Sequence, residues 1–166
     1  MDGASKGNPG LSGGGGIICN QEGNLVLAFS NFYGHCTNTE SEMRAVLDGL
    51  RVCASKGLAG CHVALDSKSI VKFISSRICK VWCCWYWFDE VLRLVDALGA
   101  TVMFSYREGN RAADFLANRA HEVQGNNEFL TFGELPPDLY RIIREDKAGL
   151  PVFCLEGESF YLPSSL

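Results

Sequence analysis

No apolar run in the sequence approaches the roughly 20 residues needed to cross a bilayer, and the start, Met1-Asp2-Gly3, has neither the basic nor the apolar region of a signal peptide. Membrane insertion and secretion are therefore not expected, and residence in the nucleus or cytoplasm is. Positive charge is scarce as well: 15 Lys and Arg face 19 Asp and Glu, a formal net charge of −4. Non-specific nucleic-acid binding rests on neutralising phosphates, so this balance argues against a purely electrostatic binder. The deficit is uneven, because residues 40–80 hold seven basic and four acidic residues whereas residues 128–158 hold three and seven. The middle of the chain can present a modest basic face if the acidic tail lies away from it.

Zinc-type spacing of paired cysteines and histidines is missing. The eight cysteines, at positions 19, 36, 53, 61, 79, 83, 84 and 154, are scattered through apolar segments, which predicts buried free thiols in a reducing compartment, with no disulfide framework and no structural zinc. The stretch Asp2-Gly3-Ala4-Ser5-Lys6-Gly7-Asn8-Pro9-Gly10 lacks the Gly-Lys-Ser/Thr ending of a P-loop, so taken alone it reads as a glycine-rich turn. What is present is enough for one domain: 166 residues, 47% of them hydrophobic, can bury a core. Four of the five prolines fall within residues 126–166, which are expected to extend a 1–125 domain and to hold one short helix at 138–144.

Apolar periodicity places the elements. Residues 13–19 and 25–29 read as a hairpin around Asn20-Gln21-Glu22-Gly23. From Thr39, apolar residues recur at Met43, Val46, Leu47, Leu50 and Ala54, a helix that Gly57 stops. A short strand at 61–65 ends at Asp66 and leads into a helix over 67–77. Residues 82–98 form another helix ended by Gly99; its first half is apolar nearly all round, which predicts burial of Trp82, Trp85, Trp87 and Phe88 rather than base stacking. A strand at 101–106 and a helix capped by Asn110 and ended by Gly125 follow. The order β-β-α-β-α-α-β-α predicts an α/β fold with a mixed sheet flanked by helices, and sites at the carboxyl ends of its parallel strands.

Four carboxylates stand at such places. Glu42 follows Thr39 by three residues, as in a capping box, yet it adjoins the apolar stripe of its helix. Asp66 ends a strand, where capping the next helix and function are about equally good readings, and Asp114 lies in a first helical turn that favours negative charge anyway. If Asp2 joins these three at one sheet edge, the like charges need a cation, and an all-oxygen donor set selects Mg²⁺ or Mn²⁺. Two such ions about 3.5–4 Å apart support in-line phosphoryl displacement.

Together, Asp2-Gly-Ala-Ser-Lys-Gly-Asn-Pro-Gly10, Asn38-Thr-Glu-Ser-Glu42-Met-Arg-Ala45, Leu65-Asp66-Ser67 and Arg107-Glu-Gly-Asn-Arg-Ala-Ala-Asp114 resemble, in order and spacing, the type 1 ribonuclease H family, most closely the domains of plant non-LTR retroelements and genes derived from them. The resemblance covers residues 2–124 and implies a five-stranded mixed sheet. It implies that Asp2, Glu42, Asp66 and Asp114 hold two Mg²⁺ ions, with Mn²⁺ as a substitute, and that the domain, a monomer, cleaves the RNA strand of RNA–DNA hybrids endonucleolytically. Gly3, Asn8, Asn38, Ser67 and Asn110 match substrate-side positions, with Asn8 and Asn38 toward the minor groove and its 2′-hydroxyls. The bacterial loop histidine and the basic protrusion are absent, and His35, His62 and His121 read as structural. In this family the first aspartate sits inside a central strand, whereas only Met1 precedes Asp2 here, so the first strand is expected to be truncated and Asp2 to fray. A catalytically weak or inactive nucleic-acid- or protein-binding module is the alternative expectation, and a gene fragment without function is a third.

Overall fold

The structure, a computed structural model, describes residues 1–145. Six strands, β1 (Asp2–Gly7), β2 (Gly10–Cys19), β3 (Leu25–Cys36), β4 (His62–Leu65), β5 (Thr101–Phe104) and β6 (Asn127–Phe129), alternate with five helices, α1 (Asn38–Ser55), α2 (Lys68–Ser76), α3 (Trp85–Leu98), α4 (Arg111–Val123) and α5 (Pro137–Glu145). Strands β1, β2, β3 and β6 pair antiparallel in that order, and β4 and β5 pair in parallel. The nitrogen of Met1 donates to the carbonyl of Ala64 at 2.9 Å and bridges β1 to β4, joining both groups into the mixed α/β sheet expected.

Side-chain alternation along the strands sorts the core into two layers. Ile18, Leu27 and Phe29 point to one face, with Met43, Val46, Leu47 and Leu50 of α1 and with Phe88, Val91 and Leu94 of α3. Ile17, Cys19 and Ala28 point to the other, with Leu116 of α4 and Leu139 and Ile143 of α5. Residues beyond 125 thus contribute to both sheet and core, through β6 and α5. Cys19, Cys36, Cys53, Cys61, Cys79, Cys83 and Cys84 are free thiols, most of them buried; Cys154 lies outside the described residues.

Three local expectations are corrected. The Asp2–Gly10 stretch is mostly strand: six residues of β1 pair with β2, from Asp2 opposite Gly15 to Gly7 opposite Gly10. Helix α1 starts earlier than its apolar stripe, with Thr37 as N-cap and Glu40 closing the capping box, so Thr39 and Glu42 form none. Finally, Trp82 and Trp85 are exposed, Trp82 at 78%, while Phe88 is buried. The α-helix begins only at Trp85, after a 3-10 turn at Trp82–Cys84; the inward stripe then runs through Phe88, Val91 and Leu94, leaving the first two tryptophans outside.

Candidate active site

Each carboxylate owes its position to an element end. Asp2 opens β1, is 6% exposed, and lies beside Ala64 of β4 through its neighbour Met1. Asp66 directly follows β4, and Ser67 rather than Asp66 occupies the N-cap position of α2. Glu42 sits on α1, which lies hard against β1 because residue 3 is glycine: a Cβ there would stand 2.3 Å from the Glu42 nitrogen. Asp114 is in the first turn of α4. That helix is seated on β2 in the same manner, since a Cβ at Gly15 would meet the Cβ of Leu116 at 2.4 Å.

One carboxylate oxygen from each of Asp2, Glu42 and Asp66 lies within 4.8 Å of the others. Asp114 lines the same open cleft, about 620 Å³ in volume, together with Gly3 and Asn38. Burial, then the charges of Asp66, Glu42 and Asp114, push the Asp2 carboxyl up to about 8. Burial, then the nearby Asp66, push Glu42 up to about 7, while a hydrogen bond from Ser67 works in the opposite direction. Desolvated acids at this spacing repel one another, and an all-oxygen donor set with such excess negative charge fits a hard divalent cation.

The remaining expected substrate-side residues divide. Asn38 Nδ2 donates to Glu42 Oε1 at 3.4 Å, and Asn8 Oδ1 accepts from the Asn38 backbone nitrogen at 3.1 Å, so these two exposed residues form a chain leading to the carboxylates. Ser67 touches Glu42. Asn110 does not face the cleft: it is 1% exposed, and its Nδ2 donates to the Met1 carbonyl at 3.1 Å. Its side chain also makes no cap bond to α4. Its polar atoms satisfy the backbone beneath Asp2, which makes it a brace for the β1 end.

Several lining residues were not among the expected site residues. Among them are Lys68, Phe104, Tyr106 and Arg107. Arg107 Nε lies 3.7 Å from Asp66 Oδ2 and opens the very motif that ends in Asp114. Phe104 and Tyr106 were accessible through strand alternation, which puts residues two apart on one face. None of the three histidines lines the cleft, and both ring nitrogens of buried His121 lack partners.

A mixed sheet with carboxylates gathered at the junction of β1 and β4 defines a ribonuclease H-like domain. A family model described as "Reverse transcriptase-like" matches residues 1–120. The chain is 32% identical to an Arabidopsis thaliana protein named as a ribonuclease H, over 157 aligned residues that cover 89% of this chain and 24% of that protein. It superposes on ribonuclease H1 of the archaeon Halobacterium salinarum with a TM-score of 0.69 at 25% identity, covering 74% of this chain and 94% of that one. LC11 ribonuclease H1, isolated from compost and solved in complex with an RNA/DNA hybrid, gives a TM-score of 0.67 at 26% identity, with 74% and 94% covered. The chain belongs to the reverse-transcriptase-like family of ribonuclease H domains, and it spans about a quarter of the length of the Arabidopsis relative.

Proposed function

We propose that this domain is a metal-dependent endonuclease that hydrolyses the RNA strand of RNA–DNA hybrids, leaving a 5′-phosphate and a 3′-hydroxyl. The observation that carries the reading is the triad of Asp2, Glu42 and Asp66 oxygens within 4.8 Å of one another in an open cleft. With Asp114 they would hold two Mg²⁺ ions, or Mn²⁺, which when bound supply an activated water and offset charge on the leaving oxygen. The side chains do the positioning. Arg107, at the rim beside Asp66, is placed to pair with a backbone phosphate. The Asn8–Asn38 chain supplies polar groups for a minor groove, where 2′-hydroxyls mark the RNA strand. Hybrid binding by the compost enzyme supports the substrate class.

Residues 1–125 carry this chemistry in our reading, with 126–166 as an extension of the domain; it works as a monomer, in the nucleus or cytoplasm where RNA meets DNA. Among the described residues no helix is long and apolar enough to cross a membrane. A hybrid- or protein-binding module that no longer cleaves is the second reading, favoured by the net charge of −4, which is poor for gripping a polyanion. One assay separates them. End-labelled hybrid, single-stranded RNA and duplex DNA are incubated with the protein and Mg²⁺. Cleavage confined to the RNA of the hybrid and abolished by chelation is expected of the nuclease, whereas hybrid retention without any cut marks the binding module.

A further inference from the structure

Tyr106 is 74% exposed although it lines the cleft. The backbone around it is fixed. Leu65 pairs with Phe104, and the Ser105 nitrogen donates to the Leu65 carbonyl at 2.7 Å, carrying the β4–β5 ladder to the residue before Asp66. Tyr106 therefore leaves the sheet at the level where Asp66 does. Its ring is braced edge-on by Phe104, with centroids 5.3 Å apart at 74°, and Lys68 Nζ stands 5.0 Å from the Phe104 centroid. The next residue is Arg107, beside Asp66. The other residues lining the cleft, Ala4, Ser5 and Asn38 among them, include no aromatic group. Phe104 and Tyr106 are thus the aromatic pair of this cleft, with Lys68 against Phe104 and Arg107 next to Tyr106 in the chain.

An exposed ring next to cations at the edge of a charged cleft is the arrangement that proteins use to hold a nucleotide, the ring stacking on the base or sugar while the cations take the backbone. We infer that Tyr106 is a stacking post for the nucleotide of the bound hybrid that adjoins the phosphate at Arg107. Resting on the hybrid reading above, this assigns to the Phe104–Tyr106 pair the task of holding the strand in line with the carboxylates. Phe104 keeps the ring upright, and Lys68 and Arg107 give the post its cationic flanks. The contact uses the face of the ring and does not need the phenol hydroxyl.

The test measures affinity without turnover, by fluorescence anisotropy of a labelled RNA–DNA hybrid with Ca²⁺ replacing Mg²⁺, for the wild type, Tyr106→Ala, Tyr106→Phe and Tyr106→Leu. Base–aromatic stacking strengths imply a loss of affinity of about tenfold or more for Ala, a comparable loss for Leu and near-wild-type binding for Phe. Thermal midpoints should be equal, because the ring is exposed. Wild-type affinity in Tyr106→Ala overturns the post, as does a loss in Tyr106→Phe as large as in Ala, which would mean that the hydroxyl is the contact. Absence of hybrid binding by the wild type overturns the hybrid reading itself, and the post with it.

Discussion

Gly3 and Glu42 are in backbone contact: a Cβ on residue 3 would stand 2.3 Å from the Glu42 nitrogen and 2.5 Å from its Cα. The atoms in the way are main chain and cannot rotate aside, so the absence of a side chain at position 3 sets the distance between the strand that carries Asp2 and the helix that carries Glu42.

Gly3→Ala should therefore push α1 off β1 and part the two carboxylates. Overpacking of this kind typically costs about 1–3 kcal/mol, and a displacement of about 1 Å at reacting groups can cost roughly a hundredfold in rate. Urea melts together with hybrid cleavage check this. A Gly3→Ala protein with wild-type stability and rate would show that α1 can adjust freely.

Glu42→Gln separates charge from capping. Because the Thr37–Glu40 pair closes the helix cap, Gln at 42 should leave metal-free stability at or slightly above the wild-type level, one repelling charge having been removed. Cleavage should be lost, and the rise in thermal midpoint on adding Mg²⁺ should shrink. Thr37→Ala should do the reverse, lowering stability by about 1 kcal/mol through the lost cap while leaving the Mg²⁺ response in place.

Burial and mutual repulsion raise Asp2 to about 8 and Glu42 to about 7. Unfolded carboxyls titrate near 4, so between about pH 4 and the raised folded values the native state binds more protons than the unfolded state. Metal-free stability should accordingly fall as pH rises from about 4 toward 8, and the stabilisation by Mg²⁺ should grow over the same interval. Thermal denaturation at several pH values, with chelator or with Mg²⁺, checks the sign. Metal-free stability that rises across this range contradicts the clustered-carboxylate account.

The Met1 nitrogen, just ahead of β1, donates to the Ala64 carbonyl of β4. Adding about six residues of alternating apolar pattern ahead of Met1 should lengthen this seam into a ladder, fix Asp2 more firmly, and raise both stability and hybrid cleavage relative to the chain beginning at Met1. Each form is compared with its own Asp66→Asn control. Greater stability without faster cleavage over that control would favour the binding module.

The helices and the strand–helix order were legible because their apolar stripes are long. The glycine-rich segment was harder: Asp2 to Gly7 looks like a turn, and it is a strand paired with β2 along its length and held against α1 at Gly3, a contact between residues far apart in sequence. Asp2, expected to fray, is paired with Gly15 and almost wholly buried in the structure. The same kind of distant contact explains Asn110, whose place at a helix start suggested a cap, whereas its side chain is bonded to Met1. Arg107 gave no periodic signal because it lies beyond the end of β5, and the proximity of β4 is what brings it to the cleft beside Asp66.

The central claim, that the carboxylate cluster cuts the RNA strand of a hybrid with the help of a divalent ion, is tested most directly by the rate of cleavage of a labelled RNA–DNA hybrid in Mg²⁺ by the wild type and by Asp66→Asn. This substitution keeps the shape of the side chain and removes one oxygen donor's charge. The account predicts Mg²⁺-dependent cutting by the wild type and a loss of at least about a hundredfold in the variant, with both proteins folded. Equal rates in the two proteins, or a wild-type rate unchanged by chelation, would contradict it.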